Sequence, residues 1–452
     1  MSGEVGMGRT DGAGGWFRTV HGREPEGVFS APGRVNLIGE HTDHHEGHVL
    51  PFAIDRRCHV AAARRADDVV TLRSAQVDGA PVVTAVAGLG RATGWSAYPL
   101  GTLWALGQDG LEPCGWDLVV ASDVPLGAGL SSSAALESAV ALAAAELTGA
   151  HLDRHDLARA GRRAENEVVG APVGIMDQAA SLLCRRGTAL LLDCRTMATE
   201  HVALGLAEAG LTMLVIDSGV RHDLADGGYA DRRAACVAAA EALGVPALRD
   251  ATVDMLGVLS GDLLRRARHV VTEQARVART VALLRAGSPR EIGPELTESH
   301  ASLRDDFAVS VPALDDAVDA ALAAGALGAR LVGGGFGGSV LALVPVDGRD
   351  AVGTAVADRF ARGARRRRCA RSSRPRARDA TDEADRQRWS RRAARNARRS
   401  AGPDVATAWT RRRSSRPYPW TSRFRKPAAR ASRSPRSAGT TPASASARNA
   451  SP

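Results

Sequence analysis

A chain of 452 residues, 44% apolar and 24% charged, can bury a sizeable core as one or two domains and has the composition of an ordinary soluble globular protein. Its formal net charge of +9 conceals two unlike parts: residues 1–360 hold 32 basic against 45 acidic side chains, and residues 361–452 hold 27 against 5, so an acidic body precedes a basic tail. The only lysine is Lys426, inside that tail, which excludes both a P-loop lysine and a protein-kinase β3 lysine from the body.

Residues 1–30 are glycine-rich and polar as far as FRTVHG, after which GVFSAPG reads as a short extended segment ending in a Pro-Gly turn. The turn-dense GEHTDHHEGH follows, then an apolar run from Val49 to Ile54. Strand character recurs at HVAAARR, VVTLRSA and WDLVVASDV, the last descending into a glycine turn. Beyond PLGAGLSSSAA the apolar spacing predicts a helix over 134–148, a second over 153–169 ending near Gly170, and a third at GIMDQAASLL. RRGTALLLDCRT reads as a strand, and LTMLVIDSGV opens a second domain. Helices are expected at YADRRAACVAAAEAL, at LRRARHVVTEQARVARTVALL, and from PRE through Ser299 and His300. ALAAGALGARLVGGGFGGSVLALVPV then has the form helix, strand, glycine-rich turn, strand. Helices and strands alternating without tandem βαβ spacing predict an α+β or mixed α/β protein of two lobes, residues 1–205 and 206–362.

From residue 363 to 452 the chain is arginine, serine, proline and alanine without apolar periodicity. Such a segment cannot offset its ordering entropy by burial and is expected to be disordered. It is either a natural basic tail or GC-rich coding sequence read out of frame from near residue 365, and the composition favours the latter. The six cysteines, at 58, 114, 184, 194, 236 and 369, form no CxxC pair and suit a reducing, cytoplasmic setting. The N-terminal MSGEVGMGRTDGAGG lacks a signal-like apolar stretch, and no window reaches the roughly eighteen consecutive apolar residues of a membrane span.

Three loops carry chemistry. In Pro125–Ala135, Gly127 and Gly129 let backbone amides converge on one point, and Ser131, Ser132 and Ser133 stand at a helix start where free N–H groups favour an anion. This cradle for phosphate needs no lysine; an ordinary serine N-cap would explain one serine but not the array. Gly333–Gly338 holds five glycines in six residues, which fits close passage by a ligand or another loop, or a tightly packed strand connection. In the segment Ala31–Asp43, Glu40 and Asp43 suit the hydroxyls of a polyol, and Arg34 suits a phosphoryl oxygen or control of a nearby acid, against the reading of a solvated charged turn. His41, His44, His45 and His48 fall within eight residues, but neither a cysteine nor a helical HExxH accompanies them, and a turn does not fix metal geometry. Asp177, in GIMDQ, is an ionisable group close to the core; paired with Arg34 it could take the proton of an attacking hydroxyl, whereas its plainer role is to cap the helix after GI.

These segments together resemble the galactokinases, of the superfamily that also contains homoserine, mevalonate and phosphomevalonate kinases. GRVNLIGEHTD, PLGAGLSSSAA and GGGFGG occur in the family's order, and GIMDQ and SLRDDFAVS narrow the resemblance. It spans Val28 to Phe360. The resemblance implies a two-lobed kinase with its site in the cleft, Arg34 and Asp177 as catalytic residues, and Glu40, His41, Asp43, Gly174 and Tyr229 as sugar contacts. It also implies a nucleotide loop from Gly127 through Ala128, Gly129, Leu130, Ser131 and Ser132 to Ser133, base contacts near Trp95, and magnesium held by Ser133 and Glu165. The implied reaction is phosphorylation of the 1-hydroxyl of galactose by ATP, in a monomer.

His44 and His45 stand where the family usually has Tyr-Asn, Val168 where an aromatic is common, Gln274 for a usual asparagine, and Leu331-Val332 for Met-Thr. The family also continues past Phe360 into a short closing strand that this chain replaces with arginines, so an unpaired sheet edge and lowered stability or solubility are expected. The rival readings are a kinase for another sugar, a sugar-binding protein without turnover, and polyanion binding by the tail, for which non-specific contact and no specific nucleic acid are expected.

Overall fold

The computed structural model describes residues 11–220 and 228–371. Its N-terminal part is built on a five-stranded sheet in the order β1 (Gly27–Asn36), β3 (Pro51–Arg65), β6 (Gly115–Ser122), β4 (Val69–Ser74) and β5 (Val82–Ala85), antiparallel except for the parallel β4–β6 pair. β3 is buried over most of its length because both faces of the sheet are covered. Val60 and Ala62 face the main core, whereas Ala61 and Ala63 face helix α1 (Asp11–His21), with Ala13, Phe17 and Val119. This helix lies where the sequence reads only as glycine-rich and polar. Burial of Phe17 and Ala13 against the sheet outweighs the glycines' helix cost of about 1 kcal/mol each.

Helices α2 (Ala97–Gln108), α3 (Ser132–Thr148), α4 (Arg154–Ala164) and α5 (Met176–Leu183) cover the other face. The helix expected over 153–169 is regular only to Ala164 and then widens into a π turn, Glu165–Val169, ended by left-handed Gly170. A small sheet, β2 (His48–Val49), β7 (Thr188–Asp193) and β8 (Thr199–Ala203), links this part to the next.

The C-terminal part is an antiparallel sheet ordered β10 (Gly328–Val332), β11 (Ser339–Pro345), β9 (Leu211–Asp217), with α6 (Gly228–Leu243), α7 (Gly261–Arg285), α8 (Gly293–Asp305), α9 (Pro312–Ala323) and α10 (Arg349–Arg371). Alternation along its strands divides the interior in two. Met213, Val215, Leu341 and Leu343 join the core of the N-terminal part, while Leu214, Ile216, Val340 and Ala342 face a second core with Phe307, Leu314, Val352 and Val356. The result is a mixed α/β fold with N- and C-terminal domains. α10 runs past residue 362, where irregular chain is expected, because alanine and arginine both favour helix. The remainder of the tail, from residue 372, lies outside the described residues. Among the described residues no helix is long and apolar enough to cross a membrane.

Candidate active site

The glycine-serine loop enters α3 through left-handed residues: φ is +65° at Gly127, +74° at Gly129 and +56° at Ser131. Ser131 precedes the helix without capping it, and its hydroxyl instead donates to Asp177 Oδ2 at 2.6 Å. The first-turn amides of α3 therefore have no side-chain cap, as an anion site requires. The GGGFGG loop packs on this turn. A Cβ at Gly333 would lie 3.2 Å from Gly129 Cα, and Ser339 Oγ donates to the Ala128 carbonyl at 2.7 Å. From the other side β1 bulges between Pro32 and Arg34, where a Cβ on Gly33 would lie 2.7 Å from the Leu130 carbonyl oxygen.

That bulge aims Arg34 at the loop and at Asp177. Its Nη1 donates to the Gly129 carbonyl at 2.8 Å, and its Nε and Nη2 lie 2.7 and 2.5 Å from Asp177 Oδ1. Arg34 is buried, which opposes its charge, but Asp177 and then Glu40 outweigh that and hold the guanidinium protonated. The Asp177 side chain is 31% exposed, so this carboxylate is open to solvent on one side. The N-cap of α5 is Ile175, with no side-chain cap; Asp177 spends its oxygens on Arg34 and Ser131, and the plainer capping role falls away.

Glu40 is buried, accepting from the Gly333 amide at 2.8 Å and lying 3.1 Å from Arg330 Nη2. Burial raises its carboxyl pKa despite Arg330 and Arg34. His41, at a left-handed φ of +61°, places its ring 4.5 Å from that of Phe307 and 5.6 Å from that of Tyr229. Asp43 is backed by Gly174, where a Cβ would sit 1.8 Å from Asp43 Oδ2. Burial works against ionisation of Asp43, yet its contacts with the imidazoles of His44 and His41 hold the carboxylate well below its ordinary range. Tyr229 opens α6 within reach of His44, its hydroxyl kept protonated by burial and by Asp43 and Asp177. Trp95 enters none of these contacts; it lies in the 3₁₀ turn Gly94–Ser96 before α2, packed on the N-terminal core.

Ser132 and Ser133 are the first residues of α3. Ser133 hydrogen-bonds Glu165, whose pKa rises to about 7 through burial and the charge of Asp177. Gln178 Nε2 donates to Glu165 Oε2 at 3.2 Å and to Glu137 Oε2 at 2.9 Å, and Glu137, wholly buried, is pushed well above its usual value. Among the described residues no cluster of three or more His, Cys, Asp or Glu could hold a metal by itself. The Ser133 hydroxyl and the Glu165 carboxyl nevertheless offer oxygens that suit a hard cation arriving with a nucleotide, which needs only one or two protein oxygens. Sequence reasoning missed Glu137, Phe307 and Arg330. Phe307 lies within the quoted SLRDDFAVS segment, and Arg330 left a signal as an arginine inside the apolar ALGARLV strand.

Family models match three stretches of the chain. A galactokinase galactose-binding signature matches residues 16–64, a GHMP kinase N-terminal domain residues 97–185, and a GHMP kinase C-terminal domain residues 280–362. The chain is 52% identical over 354 residues to a galactokinase of Streptomyces coelicolor, covering 76% of this chain and 91% of the relative. It is 45% identical to one from Mycobacterium bovis, covering 71% and 89%. Its fold is similar to the crystal structure of Lactococcus lactis galactokinase complexed with galactose, with a TM-score of 0.74 and 31% identity over 78% of this chain and 95% of that one. Signature, relatives and fold converge, and the chain belongs to the galactokinase family of GHMP kinases.

Proposed function

We propose that the protein transfers the γ-phosphoryl group of ATP to the anomeric 1-hydroxyl of galactose, in the cleft between its two domains. The observation that carries this reading is the Asp177 carboxylate, shared between Arg34 and Ser131 of the glycine-serine turn. A proton acceptor and an anion cradle are thereby one hydrogen bond apart.

In this reading the amides from Gly127 to Ser133 hold the nucleotide's terminal phosphates, and Trp95 borders its base. Glu40, His41, Asp43, Gly174 and Tyr229 surround the sugar, so that each ring hydroxyl meets its own partner. Asp177 faces the 1-hydroxyl, orients it in line with the γ-phosphorus and receives its proton, while Arg34 holds the Asp177 carboxylate and the Gly129 carbonyl in place. Magnesium held by Ser133 and Glu165 would neutralise charge on the β- and γ-phosphates. The five described cysteines are unpaired, which supports a cytoplasmic setting, and a single chain supplies every group named, which supports a monomer.

The test is coupled ADP release. Wild-type protein with ATP, magnesium and galactose should release ADP, and Asp177→Asn should lose about 10³-fold in kcat, within the range for a proton acceptor, while still binding ATP. Turnover by the variant at the wild-type rate would remove Asp177 from the chemistry. No release with galactose or its epimers would favour a binding protein without turnover.

A further inference from the structure

Glu137, Gln178 and Glu165 meet behind the serine turn, each from a different element. Glu137 lies in α3 one turn beyond Ser133, Gln178 in α5 directly after Asp177, and Glu165 opens the π turn that follows α4. Glu137 and Gln178 are fully buried, and Glu165 nearly so. The Gln178 amide nitrogen serves both acids, donating to Glu137 Oε2 at 2.9 Å and to Glu165 Oε2 at 3.2 Å. Its two hydrogens allow one side chain to bridge two carboxyls. α4 leaves room for this bridge: a Cβ on Gly161 would lie 2.9 Å from Gln178 Cγ and 3.4 Å from Glu137 Oε2. Packing alone does not account for it. Glu137 Oε1 and Gln178 Oε1 are buried without a hydrogen-bond partner among the described residues, which lowers stability, and apolar side chains of the same size would fill the space without that loss.

We propose that Gln178, anchored on Glu137, is a positioning residue for the magnesium site: its amide holds the Glu165 carboxyl beside Ser133 for the cation that accompanies ATP. Glu165 is hydrogen-bonded by the Ser133 hydroxyl and by the Gln178 amide, and two donors fixed on two helices set the direction of its carboxyl. Carboxylates that hold a metal are oriented by such hydrogen bonds from behind, and loss of one partner weakens the metal by about 10- to 100-fold. Glu137 acts one step further back. By accepting the second hydrogen of the amide it fixes the rotation of the amide plane, without touching the cation itself. Asp177, the neighbour of Gln178 in the chain, is held by Arg34 and Ser131 instead. The bridge therefore bears on the metal and not on the proton acceptor.

This inference rests on the reading of Ser133 and Glu165 as the magnesium-holding pair, and its test separates the two. The full chain is titrated calorimetrically with AMPPNP, a non-hydrolysable ATP analogue, once with magnesium and once with EDTA; neither titration contains galactose, so the sugar assignment does not enter. Gln178→Met keeps the volume and removes the donor. It should weaken binding in magnesium about tenfold, with binding in EDTA and the galactose KM within about twofold of wild type. Glu137→Leu should show the same selective loss, and Glu137→Gln, which keeps an oxygen for the amide, should recover most of it. The two positions approach the bridge from opposite ends, so either variant that folds decides. Gln178→Met combined with Glu165→Ala should bind no more weakly than Glu165→Ala alone, because Gln178 acts through Glu165. Equal weakening with and without magnesium would leave the bridge a structural role only and overturn the proposal, as would an unchanged affinity in magnesium or additive losses in the double variant. A loss in Glu165→Ala but not in Gln178→Met defeats the bridge alone. Undiminished affinity of Glu165→Ala in magnesium defeats the metal reading itself, and the bridge with it.

Discussion

Gly174 is a position where the absence of one atom makes room for another residue's function. A Cβ there would sit 1.8 Å from Asp43 Oδ2 and 2.4 Å from its carboxyl carbon, far inside van der Waals contact, and both belong to a carboxylate already held by His44. Gly174→Ala must therefore displace Asp43. We expect the galactose KM to rise more than tenfold with the ATP KM unchanged, measured by ADP release, and an unchanged galactose KM would show that Asp43 does not touch the sugar. The GIMDQ motif brought Gly174 to notice through family resemblance, but nothing in its spacing tells that it backs Asp43, a residue far away in the chain. Arg330 illustrates the same limit. It is wholly buried, donates to the carbonyls of Asn36 and Leu37 at 3.0 and 2.9 Å and pairs with Glu40. Residue types mark Glu40 as a candidate ligand, and only the folded topology shows that an arginine from β10 holds it.

Among the elements, α7 does more than its amphipathic pattern announces. From the C-terminal domain it braces the sugar-binding segment: Glu273 Oε1 accepts from the Gly39 amide at 2.9 Å, Gln274 exchanges hydrogen bonds with the His48 backbone at 2.8 and 3.1 Å, and His269 Nε2 donates to the Glu40 carbonyl at 3.1 Å. Gln274, read from sequence as a departure from the family's asparagine, has a defined task here. Helix placement was legible along α7 because it keeps its apolar spacing over 25 residues; α1 was not, since its two anchoring side chains stand among glycines. The histidine in α7 makes acid stability testable. Burial lowers the pKa of His269 from 6.5 to about 4, so below pH 6.5 the unfolded chain takes up a proton that the folded chain refuses. Stability is fully present above pH 6.5 and falls as pH drops toward 4, by about 3 kcal/mol from this residue. His300, lowered to about 4, and His45, lowered to about 3, act with the same sign. Urea melts between pH 7 and 4.5 should show this loss, with a shallower slope in His269→Gln; equal slopes would remove His269 as a contributor.

At the scale of the whole molecule, the C-terminal sheet is the wall shared by two cores, and α10 closes the outer one. Val352 and Val356 are fully buried in that core and Phe360 packs against it, whereas the sequence from Arg362 to Arg371 offers cysteine as its one non-alanine apolar residue. The described packing of α10 on this core runs as far as Phe360, and the described sheet keeps three strands with β9 and β10 at its edges. A chain truncated after Arg362 should melt within about 2 °C of the full chain, since the described apolar contacts of α10 with the second core are kept. Val356→Ala should cost both forms about 2 kcal/mol, from two methyl groups and the cavity they leave. Limited trypsin digestion gives the decisive comparison, because arginine is dense in the tail. A body fragment equally resistant in both forms means that the tail contributes nothing to the fold. Faster loss of the body in the truncated form alone would mean that residues beyond 362 cover part of the second core. Rapid degradation of both would show that three strands without a closing partner leave the C-terminal domain open, the outcome anticipated from the arginines that replace the family's last strand.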